Sequence, residues 1–198
     1  MRVFGSLRSG NCLKVKYTAD YLGIPYEWVP IDGRKGETRT PDFLRRNPAG
    51  QVPVVEFDDG KYLAQSNAII RYLARGSALF PDDAFDQAKV DEWLFWEQNT
   101  HEPSVAVCRF QMFFAGKPRE ERDPRLVKAA EASLDLMERT LADREWFVGG
   151  SFSIADIALV AYTRLAHEGG FDLAARPRLR AWIARCERTL GLEAAQAA

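Results

Sequence analysis

Residues 51 to 76 read QVPVVEFDDGKYLAQSNAIIRYLARG, and few architectures can hold such a stretch. Two short runs, VPVVEF and KYLAQ, flank Asp58-Asp59-Gly60, and an Asp-Gly pair between apolar runs is a strong hairpin signal. A helical segment, SNAIIRYLARG, follows at once, with Ser66 placed as its N-cap and Gly76 just past its end. Upstream, RVFGS is a strand candidate, and Cys12, Val15, Ala19 and Leu22 recur at helical spacing. Gly23 and Pro25 stop that helix, and Tyr26 and Trp28 alternate along a second strand. The polar stretch GRKGETRTPDFLRRNPAG reads as loop plus a short helix. The order β-α-β, then β-β-α, predicts a small mixed sheet with helices on its faces.

From about Asp86 onward strands vanish. A long segment carries Trp93, Trp96, Phe110 and Phe113, and Leu126, Ala130, Leu134, Met137 and Leu141 form one stripe behind Pro124. Two further helical stretches complete an all-α second half. The expected division is residues 1–76 as an α/β domain, 77–85 as linker and 86–198 as a helical bundle, with the EAAQAA tail frayed.

Composition excludes several classes of function. A net charge of −1 over 198 residues gives no basic surface for nucleic acid or anionic lipid. No apolar run approaches the ~20 residues that span a bilayer, and MRVFGSLRSG lacks the apolar core of a secretory signal. A cytoplasmic protein is expected. Cys12, Cys108 and Cys186 are odd in number and far apart, and His101 and His167 are the sole histidines, so neither a disulfide framework nor a metal site is expected.

The chemistry-bearing candidates lie mostly in the first half. Ser9-Gly10-Asn11-Cys12 is one substitution from C-x-x-C, with serine at the first cysteine position. Val52-Pro53 opens a strand; a cis bond there would expose the Val52 backbone to pair with a peptide ligand. The N-terminus of the helix at Ser66 is suited to a carboxylate, and Gln65 to a neighbouring amine. Together these describe the γ-glutamyl end of glutathione. Ser153 to Asp156 fits a capping box, a folding device for which Asp156→Ala costs roughly 1 kcal/mol or more. Trp96, His101, Phe110, Phe113 and Phe114 are either core or the wall of an apolar cleft, with Pro103 predicted to break or kink the helix near Glu102.

The stretches SGNCLKV, FLRRNPAGQVPVVEFDDG, LAQSNAIIRYLA and GGSFSIADIAL, in this order and spacing, resemble the cytosolic glutathione transferase superfamily across the whole chain, in its bacterial theta-, phi- or nu-like forms. The resemblance implies a thioredoxin-like amino-terminal domain, an all-helical carboxy-terminal domain and a homodimer. Glutathione serves as co-substrate, without cofactor or metal, for attack on a small hydrophobic electrophile. It also implies roles for particular residues. Val52, before Pro53, pairs with the cysteinyl backbone of glutathione; Gln65 and Ser66 bind its γ-glutamyl group; Gln51 approaches its glycyl end, aided by Lys35 or Arg39. Ser9 falls at the catalytic serine position of theta-, phi- and delta-like classes, and Asn11 matches the asparagine of a nu-like group. Beta-like bacterial members carry a functional cysteine in this same turn, which leaves Cys12 as a further thiol contact, while its place on the apolar face of its helix favours packing. The acceptor set is Leu7, Trp96, His101, Phe110 and Phe113. Glutathione-dependent peroxide or disulfide reduction, and a non-catalytic binding module, stand as alternatives.

Overall fold

The computed structural model describes residues 1–195. They form two compact units, Met1–Ser77 and a second that begins at Ala78.

In the first unit a four-stranded sheet has the order β2-β1-β3-β4. Strand β1 (Arg2–Gly5) runs parallel to β2 (Glu27–Pro30) and antiparallel to β3 (Val54–Glu56), which pairs antiparallel with β4 (Tyr62–Ala64). Helix α1 (Gly10–Tyr21) is the crossover that parallel pairing requires. The sheet's pleat sorts the core. Phe4 and Val54 oppose each other in register and pack with Phe43 of α2 (Pro41–Arg46) on one face. Val3 and Val55, one residue along, point to the other face. Helix α2 starts where Thr40 caps the Phe43 amide and Pro41 fills the first turn. Helix α3 (Ser66–Leu73) packs beside α1.

Ser66, expected as the cap of α3, is instead its first helical residue. The cap position belongs to Gln65, whose φ of 70° is the positive value of a non-glycine residue. That turn swings the Gln65 side chain out of capping reach and frees the Ser66 hydroxyl for a partner elsewhere.

The second unit starts earlier than expected. Leu79 and Phe80, inside the presumed linker, are buried, and the Leu79 carbonyl accepts the Ile154 amide. Asp83 then caps α4 (Ala84–Trp96). The chain runs on without a break through wide π-type turns over Glu97–Ala106, a short α5 (Val107–Arg109) and further π turns over Phe110–Phe114. Pro103 therefore neither breaks nor ends the helix. A π turn displaces the i→i−4 bonding that a proline amide cannot supply. Helices α6 (Pro124–Thr140), α7 (Ile154–Thr163) and α8 (Pro177–Leu190) follow, and every residue of α7 is buried. Of the tail expected to fray, residues 196–198 lie outside the described residues, while the Ala195 amide donates to Glu187 at 3.0 Å. No helix among the described residues is long and apolar enough to cross a membrane.

Candidate functional site

The first unit brings the ends of two helices together. Ser9 caps α1 from an extended conformation, its Oγ accepting the Cys12 amide at 3.4 Å. The cap uses an oxygen lone pair, so the hydroxyl proton is not consumed by it. Gly5 makes room for this turn: a β-carbon there would lie 2.9 Å from Cys12 Sγ. Asn11, in the first turn of α1, accepts the Ser66 hydroxyl at 3.0 Å through Oδ1. Two helix N-termini more than fifty residues apart in sequence thus share one hydrogen bond.

The Cys12 thiol is buried, accepts the Ser6 amide at 3.4 Å, and is pushed up to about 11 by desolvation, against smaller lowering contributions from Ser6 and Ser9. A thiol so displaced is protonated at neutral pH and unsuited to nucleophilic exchange. Cys12 is a packing residue at this turn.

The loop before β3 carries the backbone-pairing candidates. The Val52-Pro53 peptide is cis, Pro53 is buried, and Val52 lies just ahead of the β3 ladder. Asn47 fixes the loop by donating to the Gln51 carbonyl at 2.8 Å. Arg39 donates to the Ala49 carbonyl at 3.3 Å, and its guanidinium occupies the space a β-carbon on Gly50 would need. Of the two basic residues considered for the glycyl end, Arg39 is therefore the one set against this loop. Lys35 stands exposed on the 3-10 turn Gly33–Lys35.

Gln65 sits at the rim with its strained backbone, a state that persists where surrounding structure over-determines it. Gln65→Gly is expected to be more stable than Gln65→Ala by about 1–2 kcal/mol, since only glycine adopts this φ at little cost. Urea unfolding of the two variants measures it, and equal midpoints would show the strain to be negligible.

The acceptor candidates separate. Leu7 in the first unit is exposed, as are Phe110 and Phe113 in the second. Phe113 and Phe114 lie under the Arg109 guanidinium, itself buried and paired with Glu168 at 2.5 Å. Trp96 is half-buried and stacks on His101. His101 cannot wall an open cleft. It is fully buried, with Nδ1 3.1 Å from Ser133 Oγ and Nε2 3.0 Å from Thr163 Oγ1. Both ring nitrogens are satisfied by hydroxyls of α6 and α7, which makes it a core histidine. A cleft of about 500 Å³ in the second unit lies among Arg119, Arg164, His167, Phe171 and Arg180, and contains none of the acceptor candidates. Among the described residues no group of three or more His, Cys, Asp or Glu side chains could hold a metal ion.

Sequence reasoning missed Lys14, whose Nζ donates to Asn11 Oδ1 at 2.9 Å and to Asn67 Oδ1 at 3.2 Å. A lysine between Leu13 and Val15 gives no sign of burial, and only the pairing of α1 with α3 reveals it.

Known proteins carry the same organisation. Residues 8–75 match the model of the glutathione S-transferase N-terminal domain, and residues 114–185 that of the C-terminal domain. The chain is 32% identical to a probable glutathione S-transferase GSTF2 of rice, over 92% of this chain and 89% of that protein. It is 31% identical to glutathione S-transferase GstB of Escherichia coli K12, over 91% and 89%. Among solved structures, a glutathione S-transferase from Pseudomonas fluorescens Pf-5 superposes with a TM-score of 0.91 at 45% identity, covering 94% of each chain. With a thioredoxin-like mixed sheet, a helical second unit and relatives that span nearly its whole length, this chain belongs to the glutathione S-transferase family.

Proposed function

We propose that the protein binds glutathione across the N-termini of α1 and α3 and delivers its thiolate to a small hydrophobic electrophile. The observation that carries the reading is the Ser66–Asn11 hydrogen bond, which joins a candidate thiol subsite to a candidate carboxylate subsite. The free thiol titrates near pH 8.5, and the thiolate is the nucleophile. A hydroxyl proton from Ser9, together with the positive end of α1, favours the charged form. Each unit of lowering corresponds to about 1.4 kcal/mol, so two units, to about 6.5, make most of the bound thiol reactive at neutral pH. The amides opening α3 receive the γ-glutamyl carboxylate, Gln65 its amine, and the Val52 backbone the cysteinyl peptide. Arg39, beside Gly50, replaces Lys35 as the stronger candidate for the glycyl carboxylate, with Gln51 next to it. The family resemblance names Leu7 in the first unit and, separately, Trp96, Phe110 and Phe113 in the second as acceptor candidates. The family resemblance supports a cytoplasmic homodimer, which sedimentation measures.

Glutathione is expected to raise the melting temperature, because a ligand selective for the folded state stabilises it, by about 2.7 kcal/mol at a hundred times its Kd. A thiolate absorbance band should appear on binding at a pH where free glutathione is protonated, and an aryl halide should be conjugated. No stabilisation at millimolar glutathione would overturn the reading. Turnover of hydroperoxides or mixed disulfides without conjugation would replace the transfer reaction with reduction.

A further inference from the structure

Lys14 is fully buried, a rare condition for a lysine. Its Nζ donates to Asn11 Oδ1 at 2.9 Å and Asn67 Oδ1 at 3.2 Å, and lies 3.5 Å from Ser66 Oγ. Two of these partners, Asn11 and Ser66, are candidates that the family resemblance names for the thiol and γ-glutamyl subsites, and the third, Asn67, is the next residue of α3. An ammonium carries three donors and no acceptor, so one group can hold all three oxygens at once. Burial of a charge is costly, and an apolar side chain of similar length would fill the space between α1 and α3 without that cost.

The geometry says what the charge does there. Lys14 and Ser66 both donate to Asn11 Oδ1, which fixes the orientation of the Asn11 amide. The Ser66 hydroxyl has one proton, and it is given to Asn11. For that proton to reach a carboxylate, Asn11 must keep another donor on its oxygen, and Lys14 is that donor. The positive charge also lies within 3.5 Å of side chains in the first turns of both helices.

We propose that Lys14 is a positioning residue of the glutathione site, fixing the Asn11 amide and releasing the Ser66 hydroxyl to the γ-glutamyl carboxylate, so that the thiol and γ-glutamyl subsites are coupled. The inference rests on the glutathione reading above.

Lys14→Met in the full chain tests it, with Kd for glutathione and for S-methylglutathione from calorimetry and the bound thiol titrated by its thiolate absorbance. Lys14→Met is expected to keep or increase resistance to urea while both Kd values rise tenfold or more and the bound thiol titrates about one pH unit higher, a tenfold smaller ionisation constant. In an Asn11→Ala background the same substitution should no longer move the thiol. A folded Lys14→Met protein with Kd values within twofold of wild type and an unmoved thiol overturns the role. Should Lys14→Met fail to fold, nitrogen-15 lysine spectra of the unaltered protein decide. The Lys14 Nζ resonance must shift with either ligand along its binding isotherm, and a resonance that stays put overturns the proposal. Wild-type protein that binds no glutathione sinks the site reading and this inference together, whereas wild-type binding with an unaffected variant sinks the Lys14 role alone.

Discussion

Asp156→Ala is expected to lower folding stability by about 3–5 kcal/mol, well beyond the loss of a helix cap. The carboxylate is fully buried at the third position of α7 and completes the capping box with Ser153, whose amide and hydroxyl reach Oδ2 at 3.1 and 3.2 Å. Its other oxygen accepts the Trp182 indole at 2.9 Å and the Phe147 amide at 3.2 Å. Alanine would leave three buried N–H groups without an acceptor, each costing about 1–3 kcal/mol. Trp182 is fully buried against Phe147, so the loss reaches α8 and the loop before α7 as well. Urea unfolding measures the difference. A loss near 1 kcal/mol would mean that the cap alone matters.

The same carboxyl gives a pH dependence of definite sign. Burial, the largest influence, pushes it up to about 6 from an ordinary 3.8, although Trp182, Phe147 and Ser153 all favour the charged form. Between these values the unfolded chain ionises while the fold keeps its proton, so Asp156 makes the fold less stable as pH rises from about 4 to about 6. A two-unit difference corresponds to about 3 kcal/mol. Asp156→Asn, which turns an amino group toward donors, is less stable than wild type throughout, but it lacks this titration. The gap between the two should therefore narrow by up to about 3 kcal/mol from pH 4 to pH 7. A gap constant with pH would show that Asp156 titrates normally.

These residues also show what a sequence can carry. The local half of the Asp156 device, serine followed three positions on by an acid, is legible because capping is a short-range matter. Trp182 is 26 residues away, and no local pattern announces that an indole will meet that carboxylate. The sheet follows the same division. Turn chemistry and alternation reveal the βαβ and hairpin units, while the turn at Gln65, with its positive φ, moves the cap off Ser66 in a way that composition does not encode. His101 looked like a cleft residue because its neighbours are aromatic. The hydroxyls of Ser133 and Thr163 that make it a core residue lie on helices distant in sequence. The site motifs at Ser9, Val52-Pro53 and Gln65-Ser66 were visible as types. The buried Lys14 that links Asn11 to Ser66 is a property of packing alone.

Ser9→Ala is expected to reduce turnover at neutral pH about a hundredfold, the scale on which removal of one preorganised donor to a developing or resting anion acts. The mechanism predicts a pH profile as well as a loss. If Ser9 donates to the thiolate, its removal raises the bound thiol toward the free value near 8.5, and the acid limb of the rate moves up with it. The deficit should then shrink as the pH passes 9. Serine also caps α1, so alanine costs about 1 kcal/mol of stability, whereas glycine at a cap costs only a few tenths. Ser9→Gly separates the two roles: it should lose the same turnover while unfolding close to wild type. Asn11→Ala is predicted to act differently. It removes the acceptor of both Ser66 and Lys14, so its main effect should be a raised KM for glutathione together with a smaller thiol shift. Cys12→Ala should leave the profile of turnover against pH unmoved, because its buried thiol stays protonated across the working range. Should Ser9→Gly retain full turnover while Asn11→Ala carries the shifted acid limb, the thiolate donor is Asn11, and Ser9 is reduced to the cap that places it.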